Sequence, residues 1–423
     1  MPLNYSVPFG KKKLNFKIPT GFSIHYAIPK PTSSLANVYK KTLEAISHPI
    51  NSEPLQDLVQ GKNSVCIVVT DITRECPDKE LLIPILEVVE KYVKKEKITI
   101  LIASGMHKSM SYDEKVEKYG KKITDNYKII NHNPKDKNLI FLGTTKNGIP
   151  IKISKTAIES DFLISLGVVE PHQFAGYSGG YKTVAIGLAG DETISHTHSG
   201  RLLKKSQTRV GKIKGNPIQE EIVEIGKKIG LNFIVNVILS PKNVVEIKAG
   251  EPLATHQTLI QKAREIYEVP LKKSYNVVIC GIGYPKDSNL YQVSRAASYL
   301  FFAHRPVIKP GGYIIIPALC NEGAGKGIGE KRFFSMLKNH TIDKILDTTG
   351  EFKAGEQRAF FVASVLKKCK IIIVGCKTPK VIKDAKMIPA KNMEEAFEYV
   401  KNDFKNLDIL LVPNSLITLP IIG

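Results

Sequence analysis

The 423-residue chain contains no tryptophan, so no site in it rests on an indole, and its aromatic side chains are 16 phenylalanines and 16 tyrosines. Its six cysteines, at 66, 76, 280, 320, 369 and 376, form no C-x-x-C pair. That argues against a zinc ribbon or a disulfide framework and leaves reduced, mostly buried thiols as the expectation. No apolar run approaches the roughly 18 residues that a bilayer-spanning helix needs. The opening "MPLNYSVPFGKKKLNFKIP" has no signal-peptide core. A cytoplasmic location without membrane association is the corresponding expectation. Internal repeats and low-complexity tracts are also missing.

Acidic residues are outnumbered, 40 against 61 lysines and arginines, for a formal charge of +21. Such an excess raises nucleic acid as a partner or an anionic small molecule as a substrate. The lysines lie in short clusters such as 11–13 and 94–97, with no recognisable nucleic-acid module beside them. A lysine-rich solvated surface accounts for them more simply, and nucleic acid is not the expected partner.

What is present is an ordinary folded composition, 43% apolar and 24% charged, in a chain longer than one hydrophobic core usually serves. Apolar β-type runs alternate with helical periodicity, which predicts an α/β class with two α/β domains and the active site in the cleft between them. "SVCIVVT" (64–70), "ITILIAS" (98–104) and "DFLISLG" (161–167) read as three buried strands. Leu81, Ile85, Val88 and Tyr92 mark a helix after Pro77. A hairpin from 233 and a helix over 253–268 close a catalytic domain spanning 1–268, and 269–274 reads as a linker. A second αβ series starts with the strands 275–283, 312–319 and 370–375, giving a domain over 275–405. The tail, 406–423, either finishes the second sheet or crosses back to the first domain.

Polar residues follow the C-terminal ends of the first three strands, where open α/β sheets place their ligand crevices. "DITR" brings Asp71 and Arg74. The guanidinium matches a carboxylate bidentately, and Asp71 is placed to orient it or a neighbouring hydroxyl. "SGMHK" brings His107. "EPHQFAGYSGGYK" brings His172 and Lys182, with two glycines just ahead of the lysine that permit close backbone approach to a bulky ligand. A lysine there binds phosphate as a point charge or reacts as an amine nucleophile. Singly, each histidine also fits a structural role, and His172, His196 and His198 match no zinc spacing such as H-E-x-x-H. Were 196–198 extended, His196 and His198 would point to opposite faces. Together, His107 and His172 on separate loops suit chemistry that runs from both faces of one carbon centre.

The ordered set "DITR", "GMHK", "EPHQFAGYSGGYK", His198 and "NLYQVSRAA" resembles the nickel-pincer lactate racemase family over nearly the whole chain. The resemblance implies a racemase or epimerase, an isomerase, of a 2-hydroxy acid. It implies that Lys182 carries nickel-binding pyridinium-3,5-bisthiocarboxylic acid mononucleotide, made by cofactor-biosynthesis enzymes, and that His198 is the protein's nickel ligand. His107 and His172 are then the acid/base pair, Arg74 and Arg295 substrate-binding, and Asp71, Tyr291 and Gln292 cofactor-lining. The chain departs from the family's usual residues at Met106, Lys108, Ile186 and Arg295, and it lacks the lactate enzyme's active-site tryptophan. These departures point to a larger or more acidic 2-hydroxy acid than lactate. The glycine-rich stretch 321–334 fits no phosphate-loop or dinucleotide fingerprint and reads as a strand-to-helix loop. Two alternatives remain at this stage: a nickel-pincer epimerase of a sugar acid or polyol, and a basic, non-catalytic nucleic-acid-binding protein.

Overall fold

The computed structural model describes residues 4–240, 243–404 and 407–422. The expected 405/406 boundary before the C-terminal tail lies outside the described residues. Twelve strands build two six-stranded sheets. In chain order they are β1 (Phe22–Tyr26), β2 (Val65–Thr70), β3 (Ile98–Ala103), β4 (Lys128–Asn131), β5 (Phe162–Val168) and β6 (Phe233–Ser240). There follow β7 (Asn243–Gly250), β8 (Tyr275–Cys280), β9 (Ile308–Pro317), β10 (Lys370–Val374), β11 (Ile388–Ala390) and β12 (Leu407–Val412).

The first sheet runs in the order β7-β6-β5-β2-β3-β4 and is parallel except for the β6–β7 hairpin. Every residue of β2 and β5 is buried, because helices cover both faces of a parallel sheet. Alternate residues divide between the faces. Ile67, Val69, Ile100 and Ile164 pack with Leu81, Leu82 and Ile85 of the helix Asp78–Val89. Cys66, Val68, Leu101 and Leu163 pack on the opposite face with Val184 and Ile222.

The second sheet, β11-β10-β9-β8-β12-β1, is wholly parallel. One face packs against Ala396, Phe397 and Val400 and against the N-terminal hairpin through Tyr5, Val7 and Phe16. The other face joins the helices Leu290–Phe301 and Glu356–Leu366 in a core that continues into the first half of the chain.

Strand pairing departs from the expected grouping at the N-terminal end and decides between the two readings of the C-terminal run. Phe22–Tyr26, grouped by sequence with 1–268, is the edge strand of the second sheet, beside β12. The run 407–412 completes that second sheet between β8 and β1 and does not return to the first. An apolar strand such as "LDILLV" needs a partner on each side, and the half-exposed "FSIHY" supplies the outer one. The expected linker carries a strand too: Glu268–Leu271 pairs in parallel with Leu419–Ile422. Among the described residues, no helix is long and apolar enough to cross a membrane.

In both sheets the strand order reverses once. After β2 the chain adds β3 and β4 on one side, then crosses to place β5 on the other. After β8 it adds β9, β10 and β11, then crosses to place β12. Such reversal points, here between β2 and β5 and between β8 and β12, are where open α/β sheets place their ligand crevices, at the C-terminal ends of the strands.

Candidate active site in the interdomain cleft

The loops leaving β2, β3 and β5 carry Asp71 and Arg74, His107, and His172 and Lys182, so the first reversal point gathers five of the expected residues. The loop after β2 is held from below. The Lys118 ammonium donates to the carbonyls of Arg74 (2.6 Å) and Cys76 (2.7 Å) and pairs with Asp78 at 3.0 Å. Asp78 in turn accepts from the Thr70 hydroxyl at 2.6 Å.

Asp71 is 3% exposed and has both carboxylate oxygens engaged. Oδ1 accepts from the Thr73 hydroxyl at 2.6 Å and from the Thr73 amide at 3.0 Å, so Asp71 orients a neighbouring hydroxyl. Oδ2 lies 2.5 Å from Nδ1 of His107. Burial alone would raise this carboxyl, but the His107 hydrogen bond and charge, Thr73 and Arg74 outweigh it and hold the group down at about 2. An ionised Asp71 accepts the Nδ1 proton and leaves Nε2 as the nitrogen available to a substrate. That side chain is 48% exposed. Lys108, at a departure from the family pattern, turns away to Glu114 at 2.8 Å.

His172 sits in a two-residue ladder in which Pro171 and His172 face Tyr177 and Gly176. The Ala175 amide donates to its Nδ1 at 3.3 Å, which puts the proton of a neutral ring on Nε2. Burial pushes this imidazole well below its ordinary pKa, and the charges of Lys182, Arg74, Arg295 and His198 push the same way.

The lysine loop follows. Gly179 and Gly180 both have positive φ, +78° and +55°, and a Cβ on either would strike Asn236 Oδ1 at 2.8 Å or His256 Nδ1 at 2.5 Å. Asn236 accepts from the Gly180 amide at 2.7 Å, and His256 Nε2 lies 2.8 Å from the Ser178 carbonyl. Burial brings His256 down to about 4, so it is a neutral donor to that carbonyl near pH 7. Lys182 opens a short helix, Lys182–Ala185, on this clamped turn. Burial lowers its ammonium to about 7, with Arg74 and Arg295 adding to the effect against Glu170 and Asp71. Gly187, beyond the Ile186 departure, accepts from the Gly105 amide at 3.0 Å and ties the lysine loop to the His107 loop.

His198 caps the C-terminus of the helix Asp191–Thr197, so 196–198 are not extended. Its Nδ1 lies 2.8 Å from the Ile194 carbonyl, which makes Nδ1 the protonated nitrogen and frees Nε2. Burial holds the ring neutral, down to about 4. Phe174 stands edge-on between His172 (4.6 Å) and His198 (4.8 Å). His196 points elsewhere, with Nε2 3.0 Å from Glu351.

The second sheet contributes at its own reversal point. Asn289 caps the helix Leu290–Phe301 by accepting from the Gln292 amide at 3.0 Å. Tyr291, Arg295 and Tyr299 recur every four residues and share one face. Arg295 donates to Gln292 Oε1 at 3.4 Å and to the Tyr299 hydroxyl at 3.1 Å. The carbonyls of Gly323 and Ala324 accept from the first amides of this helix, so the glycine-rich loop supports its N-terminus. The sequence reading missed Arg358, on the helix Glu356–Leu366. It donates to Gln173 Oε1 across the cleft at 2.8 Å and lies 5.0 Å from the Tyr291 ring centroid. An arginine flanked by "AFFVA" was a signal that could have found it.

His172, Lys182, His198, Arg74 and Arg295 therefore share one electrostatic neighbourhood, although they come from both halves. His107 joins it through Asp71. Tyr291 and Gln292 reach it by way of Arg358 and Arg295. All six cysteines are free thiols, five of them buried. Among the described residues, no three His, Cys, Asp or Glu side chains gather as a metal site. A metal held at His198 would thus take its other donors from a non-protein group. A neutral imidazole with a free Nε2, an amine titrating near neutrality and a lining of guanidinium groups fit an anionic, sulfur-bearing nickel ligand tethered to lysine.

Fold and donor set define a two-domain α/β enzyme with its reactive side chains in an interdomain cleft. Two family models match: the lactate racemase N-terminal domain over residues 9–211, and the lactate racemase C-terminal domain over residues 269–418. The chain is 32% identical over 411 residues to the lactate racemase of Thermoanaerobacterium thermosaccharolyticum, covering 95% of each chain. It is 31% identical over 369 residues to the lactate racemase of Lactiplantibacillus plantarum, covering 85% of each. The structure of the lactate racemase apoprotein from Thermoanaerobacterium thermosaccharolyticum superposes with a TM-score of 0.88 at 29% identity, covering 99% of this chain and 100% of that one. A crystal structure of a Thermotoga maritima protein shares the fold, with a TM-score of 0.68 at 19% identity, covering 91% of this chain and 98% of that one. The chain belongs to the lactate racemase family, and it is an isomerase.

Proposed function

We propose that this chain is a cytoplasmic racemase of lactate or a related 2-hydroxy acid, working with a nickel-pincer nucleotide carried on Lys182. The observation that carries the reading is the pairing, in one desolvated pocket, of a lysine amine brought down to about 7 with a neutral imidazole whose Nε2 is free. An amine about half unprotonated at neutral pH can hold an acyl-type group covalently, and His198 Nε2 would be the protein's ligand to nickel. When bound, the group supplies a reversible acceptor for the α-hydrogen as hydride, leaving the substrate as its planar 2-keto acid.

The remaining tasks fall to the chain itself. Arg74 and Arg295 bind and orient the substrate carboxylate from opposite walls of the cleft. His107 Nε2 takes the hydroxyl proton of one enantiomer, with Asp71 fixing the ring's tautomer and stabilising the imidazolium that results. His172 serves the other enantiomer. Its neutral ring carries a proton at Nε2, where His107 offers a lone pair, so the two imidazoles meet the substrate oxygen in complementary states. For His172 to exchange the hydroxyl proton at Nε2, the ring's other proton must sit on Nδ1 in place of the 3.3 Å Ala175 contact, and an anionic substrate, by offsetting the cations that depress the ring, favours that protonation.

The test is intact mass and nickel content of protein produced together with the cofactor-building enzymes, alongside chiral analysis of 2-hydroxy acids. A covalent adduct on Lys182, one nickel per chain and inversion of the stereocentre are expected. A Lys182→Ala variant made in the same host that still inverts at full rate would overturn the reading.

A further inference from the structure

Arg74 and Arg295 already provide for the single carboxylate of a simple 2-hydroxy acid. Arg358 is a third guanidinium, and among the described residues no carboxylate lies within ion-pair distance of it, of Arg295 or of Arg74. Its contacts are the Gln173 side chain at 2.8 Å and the face of Tyr291. Gln173 is 2% exposed, adjoins His172, and spends its Oε1 on Arg358. Its Nε2 is buried with no hydrogen-bond partner. Because Arg358 has no acceptor atoms, the amide oxygen must face it, and the orphaned NH2 must face another way. An unpaired buried donor beside an uncompensated cation costs stability unless something with acceptor oxygens completes it.

We infer that Arg358 and the Gln173 amide recognise a second anionic oxygen group next to the reacting centre: the distal carboxylate of a four- or five-carbon 2-hydroxy dicarboxylate. The inference rests on the proposed racemase reading and makes Arg358 a specificity-determining residue. The Tyr291 ring, with its centroid 5.0 Å from the guanidinium carbon, restricts where that group can move, which suits bidentate recognition. The phosphate of a tethered nucleotide has the same acceptor chemistry, so the experiment separates the two sources.

Nickel-loaded wild type, Arg358→Gln and Arg358→Lys are compared for kcat/KM on malate, 2-hydroxyglutarate and lactate, with adduct and nickel content measured on each sample. Dicarboxylates should be preferred by wild type. In Arg358→Gln the dicarboxylate-to-lactate ratio should fall about a hundredfold, mostly through KM, with adduct content unchanged, and Arg358→Lys should keep part of it. In cofactor-free protein at constant ionic strength, malate should raise Tm more than lactate does, and Arg358→Gln should erase the difference. Preference for lactate by wild type, or an equal loss on both substrate classes, overturns the inference. So does loss of adduct and nickel with an unchanged ratio, which assigns Arg358 to the nucleotide phosphate. Failure of nickel-loaded wild type to invert any 2-hydroxy acid sinks the racemase reading instead, while the Tm comparison still reads dicarboxylate recognition directly.

Discussion

The two sheets share a topology but give the cleft different kinds of side chain. From the first come an amine, three imidazoles and the Arg74 guanidinium, set on loops that glycines, Asn236, His256 and Lys118 hold in place. From the second come guanidinium groups and phenols, borne on the regular helices Leu290–Phe301 and Glu356–Leu366. A group that must approach a tethered ligand closely needs backbone without Cβ atoms, so it sits on loops. A group that only has to present a cation at a fixed height can ride a helix face. The difference points to a division in which the reacting groups all come from the first half, which shares carboxylate binding through Arg74, while the second half mainly selects.

The sharpest way to break this division is to change Lys182. Lys182→Met should abolish adduct formation and turnover. It should also stabilise the cofactor-free protein by several kcal/mol, on the order of 5, near pH 7, since burying the ammonium costs stability. The folded-state value, about 7, lies below the ordinary 10.5. In that window the unfolded chain binds the extra proton, so wild-type stability rises with pH from about 7 to 10.5, and the Met variant should lose the slope. Thermal melts across that range check it.

Next come the two proton carriers. His172→Gln should lower kcat on the order of 10³-fold, and Asp71→Asn about 10²-fold through the wrong His107 tautomer, both with intact adduct. In the second half, Arg295→Lys should raise KM about tenfold while kcat changes by only a few-fold, because charge is kept and fork geometry is lost. A kcat effect as large as that of His172→Gln would erase the proposed division. Asp71 also gives a pH signature. Its carboxyl is depressed from 3.8 to about 2, so its contribution of about 2 kcal/mol is present above pH 4 and disappears as pH falls through 2. Acid titration of wild type against Asp71→Asn measures it. The smallest effect is expected at His196→Gln, which breaks an exposed contact with Glu351 and should shift stability by less than about 0.5 kcal/mol.

Much of this was legible along the chain. β2, β3, β5, β8, β9, β10 and β12 each stand where an apolar run of the right length predicts a strand, because strands buried on both faces cannot hide their composition. The reactive loops were legible as glycine-flanked polar stretches at the ends of those runs. Phe22–Tyr26 was not, because a half-exposed edge strand carries little pattern and its partner lies almost four hundred residues away. Nor was the contact between Gln173 and Arg358, which no spacing rule connects.

The sequence by itself determined the α/β class, the strands, the flexible turn ahead of Lys182 and the family, since each is written in local composition or in an ordered motif. Only the tertiary structure decided which sheet the chain's ends complete, that Asp71 serves His107, that His198 turns inward and His196 outward, and that a third arginine bonds to Gln173 across the cleft. Those outcomes depend on which surfaces meet when two sheets pack, and burial and charge act through space without regard to position along the chain.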